Sequence, residues 1–113
     1  MSMTVIRQDA LPLSRIAREL IGSQHDAGVC LLFVDAPPGD GPGLHRHPYE
    51  EIFIIQEGRC MFEVDDAEFE ARAGDIAIAP AGAAHRFTNT GDGPLRQIDI
   101  HVSADFSTEW LSG

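Results

Sequence analysis

Glycine and proline divide this chain into segments that suit short strands better than helices. The densest interruptions are DAPPGDGPG (35–43) and TGDGP (90–94). Around them, runs such as DIAIAP and RQIDIHV alternate apolar and polar residues, which is the two-residue period of a half-buried strand. Many short strands joined by turn-rich loops, with almost no helix, indicate an all-β sandwich or barrel.

Three local predictions accompany this pattern. QEGR, between EIFII and CMFEV, predicts a tight hairpin with Gly58 in its turn. Residues 12–22, PLSRIARELIG, have the spacing and end signals of a helix, yet their position suits a strand leading into the sheet, so both alternatives stand. The tail ADFSTEWLSG predicts one helical turn that packs Phe106 and Trp110 on the barrel.

Composition narrows the classes of function. A chain of 113 residues is long enough for one domain with one core. No run approaches the roughly 18 apolar residues of a membrane helix, and the polar N-terminus does not resemble a secretory signal, so we expect a cytoplasmic protein without a membrane partner. A net charge of -10 disfavours nucleic acid. The chain has no lysine, which excludes Schiff-base catalysis. Cys30 and Cys60 predict buried thiols rather than a disulfide framework.

The stretch GLHRHPYEE (43–51) concentrates groups that can bind a metal. His45, His47 and Glu51 all have odd numbers, so on a continuous strand they share one face, although Pro48 can bend it. Two imidazoles and a carboxylate suit a divalent metal, and His85 is the best candidate for a fourth ligand because a turn, PAGAA, precedes it. It also begins a strand that could lie antiparallel to that of Glu51. A polar surface loop is the alternative reading of an isolated HxH.

The glycine and proline positions around these histidines resemble the two motifs of the cupin family. The first motif is matched at 39–58 by Gly39, His45, His47, Glu51 and Gly58. The second is matched at 74–89 by Gly74, Pro80, Gly82, His85 and Asn89. No position of either motif departs from the pattern, and the match spans close to half the chain.

This resemblance implies an all-β fold: a single cupin domain over residues 1–113, a double-stranded β-helix or jelly-roll barrel with short terminal extensions. It implies His45, His47, Glu51 and His85 as ligands of one divalent transition metal ion. Fe, Mn, Ni, Cu and Zn all suit three histidines and a carboxylate. The set leaves one or two coordination positions open to water, dioxygen or substrate.

Side-chain alternation predicts which residues surround the metal. On an alternating strand, Phe53 and Ile55 lie on the same face as Glu51, and Phe87 lies on the same face as His85. We therefore expect an apolar pocket formed by these three residues and by Cys60. A plain core position is an equally good interpretation of Ile55, and a buried core thiol is one for Cys60.

The strand RQIDIHV allows two arrangements. Its polar face carries Gln97, Asp99 and His101, and its aliphatic face carries the two isoleucines and Val102. The aliphatic face in the core is favoured, because aspartate is seldom buried. The other arrangement brings His101 and Asp99 to the mouth of the pocket as a catalytic acid/base pair beside the metal.

Two functions of different class follow. The first is a metal-dependent enzyme acting on a small organic molecule, a dioxygenase before an isomerase. The second is a non-enzymatic, metal-containing protein that binds or senses a small molecule. Residues 29–34, VCLLFV, are apolar on both faces, which suits a strand covered on both sides, so we also expect a homodimer.

Overall fold

The strands of this computed structural model, which describes residues 2–112, form two antiparallel sheets. One sheet has six strands in the spatial order β1-β2-β3-β10-β5-β8, and the other has five in the order β11-β4-β9-β6-β7. In chain order the strands are β1 (Leu13–Ser14), β2 (Ala17–Leu20), β3 (Cys30–Ala36), β4 (Leu44–Arg46), β5 (Glu51–Glu57), β6 (Arg59–Val64), β7 (Ala67–Arg72), β8 (Ile76–Ala79), β9 (His85–Asn89), β10 (Leu95–His101) and β11 (Glu109–Ser112). Two short 3-10 turns, Gln8–Ala10 and Gly22–His25, complete the regular structure of the described residues. The all-β prediction is confirmed.

The core lies between the two sheets. Phe53 of β5 meets Phe62 of β6 edge to face, with ring centroids 4.8 Å apart, and Phe87 of β9 lies 6.0 Å from Phe62. All three rings are almost fully buried. The edge-to-face contact of Phe53 joins the two sheets, whereas Phe62 and Phe87 are neighbours within the five-stranded sheet. The sheets do not close into a continuous barrel. Their edge strands are β1 and β8 in one sheet and β11 and β7 in the other.

The hairpin predicted around Gly58 is wrong. β5 and β6 lie in different sheets, and Gly58 stands where the chain passes from one sheet to the other. Its φ is +84°, and a Cβ at this position would lie 2.4 Å from the carbonyl oxygen of Pro94. A glycine between two strands therefore marks a tight turn without telling whether the strands pair. The strand that begins at His85 could have paired with the strand of Glu51. Instead this strand, β9, pairs with β4 and β6.

The two uncertain terminal segments are both strands. Residues 12–22 contain β1 and β2, and β2 pairs with β3 through Ala17 opposite Val34. The predicted helical turn in the tail is wrong, because β11 pairs with β4 and places Trp110 opposite His45. In both cases an open sheet edge offers the backbone a full set of hydrogen bonds, which outweighs local helical preference. No helix among residues 2–112 is long and apolar enough to cross a bilayer.

Candidate metal centre

Three strands from the two sheets bring together four side chains that could hold a metal ion. His45 lies in β4, His47 just beyond it, and Glu51 and His85 are the first residues of β5 and β9. All four are at most 7% exposed, and one ligand atom from each lies within 4.8 Å of those of the others. The β4–β9 pairing sets His45 directly opposite His85, with ring centroids 4.5 Å apart.

Backbone carbonyls fix the orientation of the three imidazoles. Each ring has its Nδ1 within hydrogen-bond distance of a carbonyl oxygen, so that Nδ1–H donates and the unprotonated Nε2 is left for a ligand role. The Nδ1 to oxygen distances are 2.7 Å from His45 to Gly43, 2.8 Å from His47 to Ser107, and 2.9 Å from His85 to Ala83. Two of these acceptors are local, and the third comes from the tail.

The donor atoms fit a divalent cation. Glu51 Oε1 lies 3.1 Å from Nε2 of both His47 and His85. With the Nδ1 protons already donated, a neutral ring turns a lone pair toward a carboxylate oxygen, and two acceptors at this distance repel each other. His47 Nε2 accordingly has no hydrogen-bond partner among the described residues. A cation placed between these atoms removes the conflict, because it accepts an electron pair from each of them.

Burial and neighbouring charges keep most of the four candidate ligands in the protonation states that a metal requires. Burial lowers the pKa of His45 to about 4, so this ring is neutral at pH 7. Burial opposes ionisation of Glu51, but the close contacts of its carboxylate with the rings of His101, His47 and His85 outweigh burial and hold the pKa of Glu51 well below its usual value. For His85, burial favours the neutral ring, yet the contact with Glu51 raises its pKa. A metal therefore competes with a proton at His85.

A fourth histidine faces the same carboxylate. His101 is 3% exposed, and its Nε2 lies 3.1 Å from Glu51 Oε2. His101 Nε2 has no hydrogen-bond partner among the described residues, so this contact is a close approach without a hydrogen bond. On its other side, His101 Nδ1 is 2.7 Å from the hydroxyl of Tyr49. His101 thus lies beside the four-residue group rather than within it.

The favoured arrangement of RQIDIHV is wrong. Gln97, Asp99 and His101 point into the protein and are 2–3% exposed, while the isoleucines lie on the outer face of the sheet. Asp99 is tied to Gln97, whose Nε2 donates to Asp99 Oδ1 at 2.8 Å. Burial, with the nearby charge of Glu51, raises the pKa of Asp99 well above its usual value, which favours a neutral carboxylic acid.

Sequence reasoning missed Tyr49 and the contribution of the tail. The Tyr49 ring stacks on His47 at a centroid distance of 5.0 Å, and its hydroxyl accepts a hydrogen bond from the Ser107 N–H at 3.2 Å. Trp110 packs 5.0 Å from the ring of His45, and Phe106 packs 4.9 Å from that of His101. Tyr49 shares its odd number with His47 and Glu51, so parity was an available signal.

A cavity of about 440 Å³ opens over these side chains. Its lining includes His45, His47, Glu51, Asp99, His101, Phe87, Phe106 and Trp110. Of the four predicted pocket residues, Phe87 alone lines this cavity. Phe53 lies behind His85, at 5.9 Å between ring centroids, and Ile55 and Cys60 are core residues. Burial raises the pKa of Cys60 to about 12, which leaves its thiol protonated and unreactive.

Comparison with known proteins agrees with this fold. A family model described as "Cupin domain" matches residues 32–101. A solved structure from Klebsiella pneumoniae, an uncharacterised protein with a double-stranded β-helix domain, superposes with a TM-score of 0.79 at 19% identity and covers 99% of this chain and 100% of that one.

Two curated relatives share more of the sequence. The uncharacterised protein MJ1618 of Methanocaldococcus jannaschii is 36% identical over 84 residues, which cover 72% of this chain and 67% of the relative. The oxalate-binding protein of Thermotoga maritima is 37% identical over 67 residues, covering 58% of this chain and 55% of the relative. The chain thus spans between about half and two thirds of these relatives. With its family-model match and its double-stranded β-helix, the chain belongs to the cupin family.

Proposed function

We propose that the protein is a metal-dependent enzyme that acts on a small organic molecule, with oxygenase chemistry of the dioxygenase kind. One observation carries the proposal: three imidazoles and one carboxylate converge beneath a cavity large enough for a small molecule. The ligands would be His45, His47, Glu51 and His85. A purely structural site tends to be closed on all sides, whereas this one faces the cavity.

A bound transition metal would supply a Lewis acid and, as iron or manganese, a redox centre. The chain supplies orientation. The carbonyls of Gly43, Ser107 and Ala83 hold the three Nδ1 protons away from the centre, and Phe87, Phe106 and Trp110 exclude water from part of the cavity. Gln97 holds Asp99 in place, so that a neutral Asp99 can offer a proton to an oxygen atom of a ligand.

The charge of the site favours an anionic ligand. Three neutral imidazoles and one carboxylate leave one positive charge uncompensated on a divalent ion. Asp99 contributes no negative charge while it is protonated. Small carboxylates carry the complementary charge and two oxygen atoms. The relative from Thermotoga maritima, named for binding oxalate, supports this class of ligand.

The test is a matched pair of histidine variants. His47→Ala removes a ligand from the group, and His25→Ala removes a histidine from the turn Gly22–His25, outside the group. We expect His47→Ala to lose both metal, measured by elemental analysis, and oxygen consumption in a screen of small carboxylates with Fe(II) or Mn(II). His25→Ala should retain both. Turnover by the metal-free protein, or by His47→Ala, would refute the proposal.

A non-enzymatic binding protein is the second candidate, and one observation favours it. Both candidate acid/base groups are engaged, since His101 contacts Tyr49 and Glu51 while Asp99 is tied to Gln97. Such a protein would bind a small anion in the presence of metal, as seen by calorimetry, without forming product. Product formation under oxygen separates the two candidates.

The cellular setting belongs to the proposal. We place the protein in the cytoplasm, with a small-molecule ligand, no nucleic acid or membrane partner, and the homodimer as its working assembly. The acidic composition supports the exclusion of nucleic acid.

A further inference from the structure

Strand β2 carries a carboxylate that the candidate metal centre does not use. Strand register places Glu19 opposite Leu32 of β3, and Leu32 opposite Asp99 of β10, so these three side chains share the inner face of the six-stranded sheet. Glu19 is half-buried and lines the cavity of about 440 Å³ that opens over the candidate metal centre. It is therefore a further acidic group that faces the cavity.

Glu19 differs from the other inward carboxyl groups of this sheet because it lacks a partner. Asp99 accepts a hydrogen bond from Gln97, and Glu51 contacts the rings of three histidines. Within residues 2–112, the Glu19 carboxylate accepts no hydrogen bond and forms no ion pair. A half-buried carboxylate without a partner has lost part of its hydration with no compensating contact, and such uncompensated groups are typical of functional sites.

Arg15 lines the same cavity, but its charge is already neutralised. Its guanidinium pairs with Asp40 and donates a hydrogen bond to the carbonyl of Gly41 at 3.0 Å, and the side chain is 60% exposed. Glu19 therefore keeps its negative charge available to a group that enters the cavity.

We propose that Glu19 binds the ammonium group of a small amino carboxylate whose carboxylate end lies at the metal. This inference rests on the proposed function, since it takes the metal as the anchor of the carboxylate. A divalent ion beside Glu51 keeps one positive charge, and Glu19 supplies one negative charge elsewhere on the cavity wall. The two ends of the cavity therefore carry opposite charges, and a zwitterion complements both of them.

The width of the sheet determines how far apart the two charges of the ligand must be. Glu19 lies on β2 and Glu51 on β5, three strand spacings away, which separates their backbones by about 14 Å. Both ends project side chains into the cavity and shorten this gap, but an α-amino acid carries both charges on one carbon atom and cannot span it. The wall between the ends includes Leu32, Val34 and Phe87, which suit a chain of methylene groups. The expected ligand is a straight-chain amino carboxylate with its charges at opposite ends.

The experiment is calorimetry on the Mn(II)-loaded protein with three acids of equal chain length. δ-Aminovalerate ends in an ammonium group, valerate in a methyl group and glutarate in a second carboxylate. Wild type should bind δ-aminovalerate at least about tenfold more tightly than either of the others, since one hydrogen bond between charged groups has this magnitude. Glu19→Gln should abolish the preference and leave the affinity for valerate unchanged, which also shows that the variant is folded. Glu68→Gln, at an exposed position of β7 outside the cavity, is the matched control and should keep the preference.

Each alternative has its own result. Equal affinity of wild type for δ-aminovalerate and valerate, or a preference that survives Glu19→Gln, overturns the proposal. Tighter binding of glutarate assigns the far end of the cavity to Arg15 and also overturns it. The electron paramagnetic resonance spectrum of Mn(II) in the same samples tests the anchor separately. Failure to load Mn(II), or a spectrum that none of the acids changes, refutes the metal as anchor and with it the proposed function, whereas a response to all three acids without a preference refutes the role of Glu19 alone.

Discussion

The two faces of strand β10 carry opposite chemistry in the same seven residues. Gln97, Asp99 and His101 point inward and are 2–3% exposed, whereas Ile98 and Ile100 point outward and are half-buried. This is the reverse of an ordinary amphipathic strand. The interior accepts the polar side chains because each has a partner or a metal-centre residue beside it: Gln97 bonds to Asp99, and His101 contacts Tyr49 and Glu51. The aliphatic side chains of β10 therefore lie on the outer face of the sheet, away from the core.

The largest expected effect is on the free energy of unfolding. It tests whether the side chains on the inner face of the sheet contribute most of the stability of the monomer. Phe53→Ala removes a ring from the centre of the core and should lower the free energy of unfolding by about 3–5 kcal/mol. Ile76→Ala removes a 66% exposed side chain of the outer face and should cost less than about 1 kcal/mol in the monomer. Urea unfolding at low protein concentration, where a dimer dissociates, measures both. Equal costs would contradict this division between the faces.

Next in size is the contrast between two adjacent glutamates on opposite sides of the chain. Glu51→Gln keeps the shape but removes the charge at the metal centre, and we expect metal affinity to fall by more than about 100-fold, beyond the loss typical of an outer partner. Glu50→Gln changes an exposed carboxylate and should leave affinity unaltered. Competition with a metal-sensitive dye gives both affinities. A matched loss in Glu50→Gln would reject the assignment of Glu51.

A smaller effect is expected from His101, which contacts Glu51, and from Tyr49, which contacts His101. His101→Gln removes the imidazole between Tyr49 and Glu51, and metal affinity should fall about 10–100-fold. Tyr49→Phe removes one hydroxyl and should cost about tenfold or less. The electron paramagnetic resonance spectrum of a Mn(II)-loaded sample should also change in His101→Gln, since the carboxylate is differently held. An unchanged spectrum and affinity would show that His101 does not position Glu51.

The pH dependence of stability tests the buried carboxylic acid. Since the pKa of Asp99 is raised in the folded protein, the folded state holds a proton that the unfolded state releases above 3.8, its usual value. Stability of the metal-free protein should therefore fall as pH rises from about 4 toward the folded-state pKa. Asp99→Asn is neutral at every pH and should lack this decline. Unfolding curves for both proteins over a pH series give the comparison, and parallel profiles would contradict it.

The smallest effect concerns the exposed ion pair outside the centre. Arg46 alternates with His45 and His47 but points outward, where its Nε lies 2.6 Å from Glu109 Oε2. Both side chains are about half exposed, so Arg46→Ala should change stability by less than about 1 kcal/mol and leave metal affinity as it was. Thermal unfolding and a metal titration measure these. A large loss of metal would mean that this pair, through β11, orients the ligands.

The sequence allowed prediction of the strands and of the four-residue group, because both depend on short-range patterns. His45, His47 and Glu51 all have odd numbers, and His85 follows the PAGAA turn. The motif resemblance then implied all four as ligands. Side-chain alternation could not tell which face of β10 lies inside, since it groups residues by face only. It also could not assign β5 and β6 to different sheets, because Gly58 serves a crossing as well as a hairpin. Tyr49 and Ser107 lie 58 residues apart, and the fold alone brings them together.

The hydrogen bond from His47 to the carbonyl of Ser107 joins residues 60 positions apart, so the candidate metal centre depends on the tail of the chain. All four side chains of the candidate metal centre precede residue 107 in the sequence. Without the tail, His47 lacks the acceptor that fixes its tautomer, and His45 lacks the ring of Trp110 beside it. A chain that lacks the segment from Ser107 to Trp110 would therefore offer a metal an unfinished site.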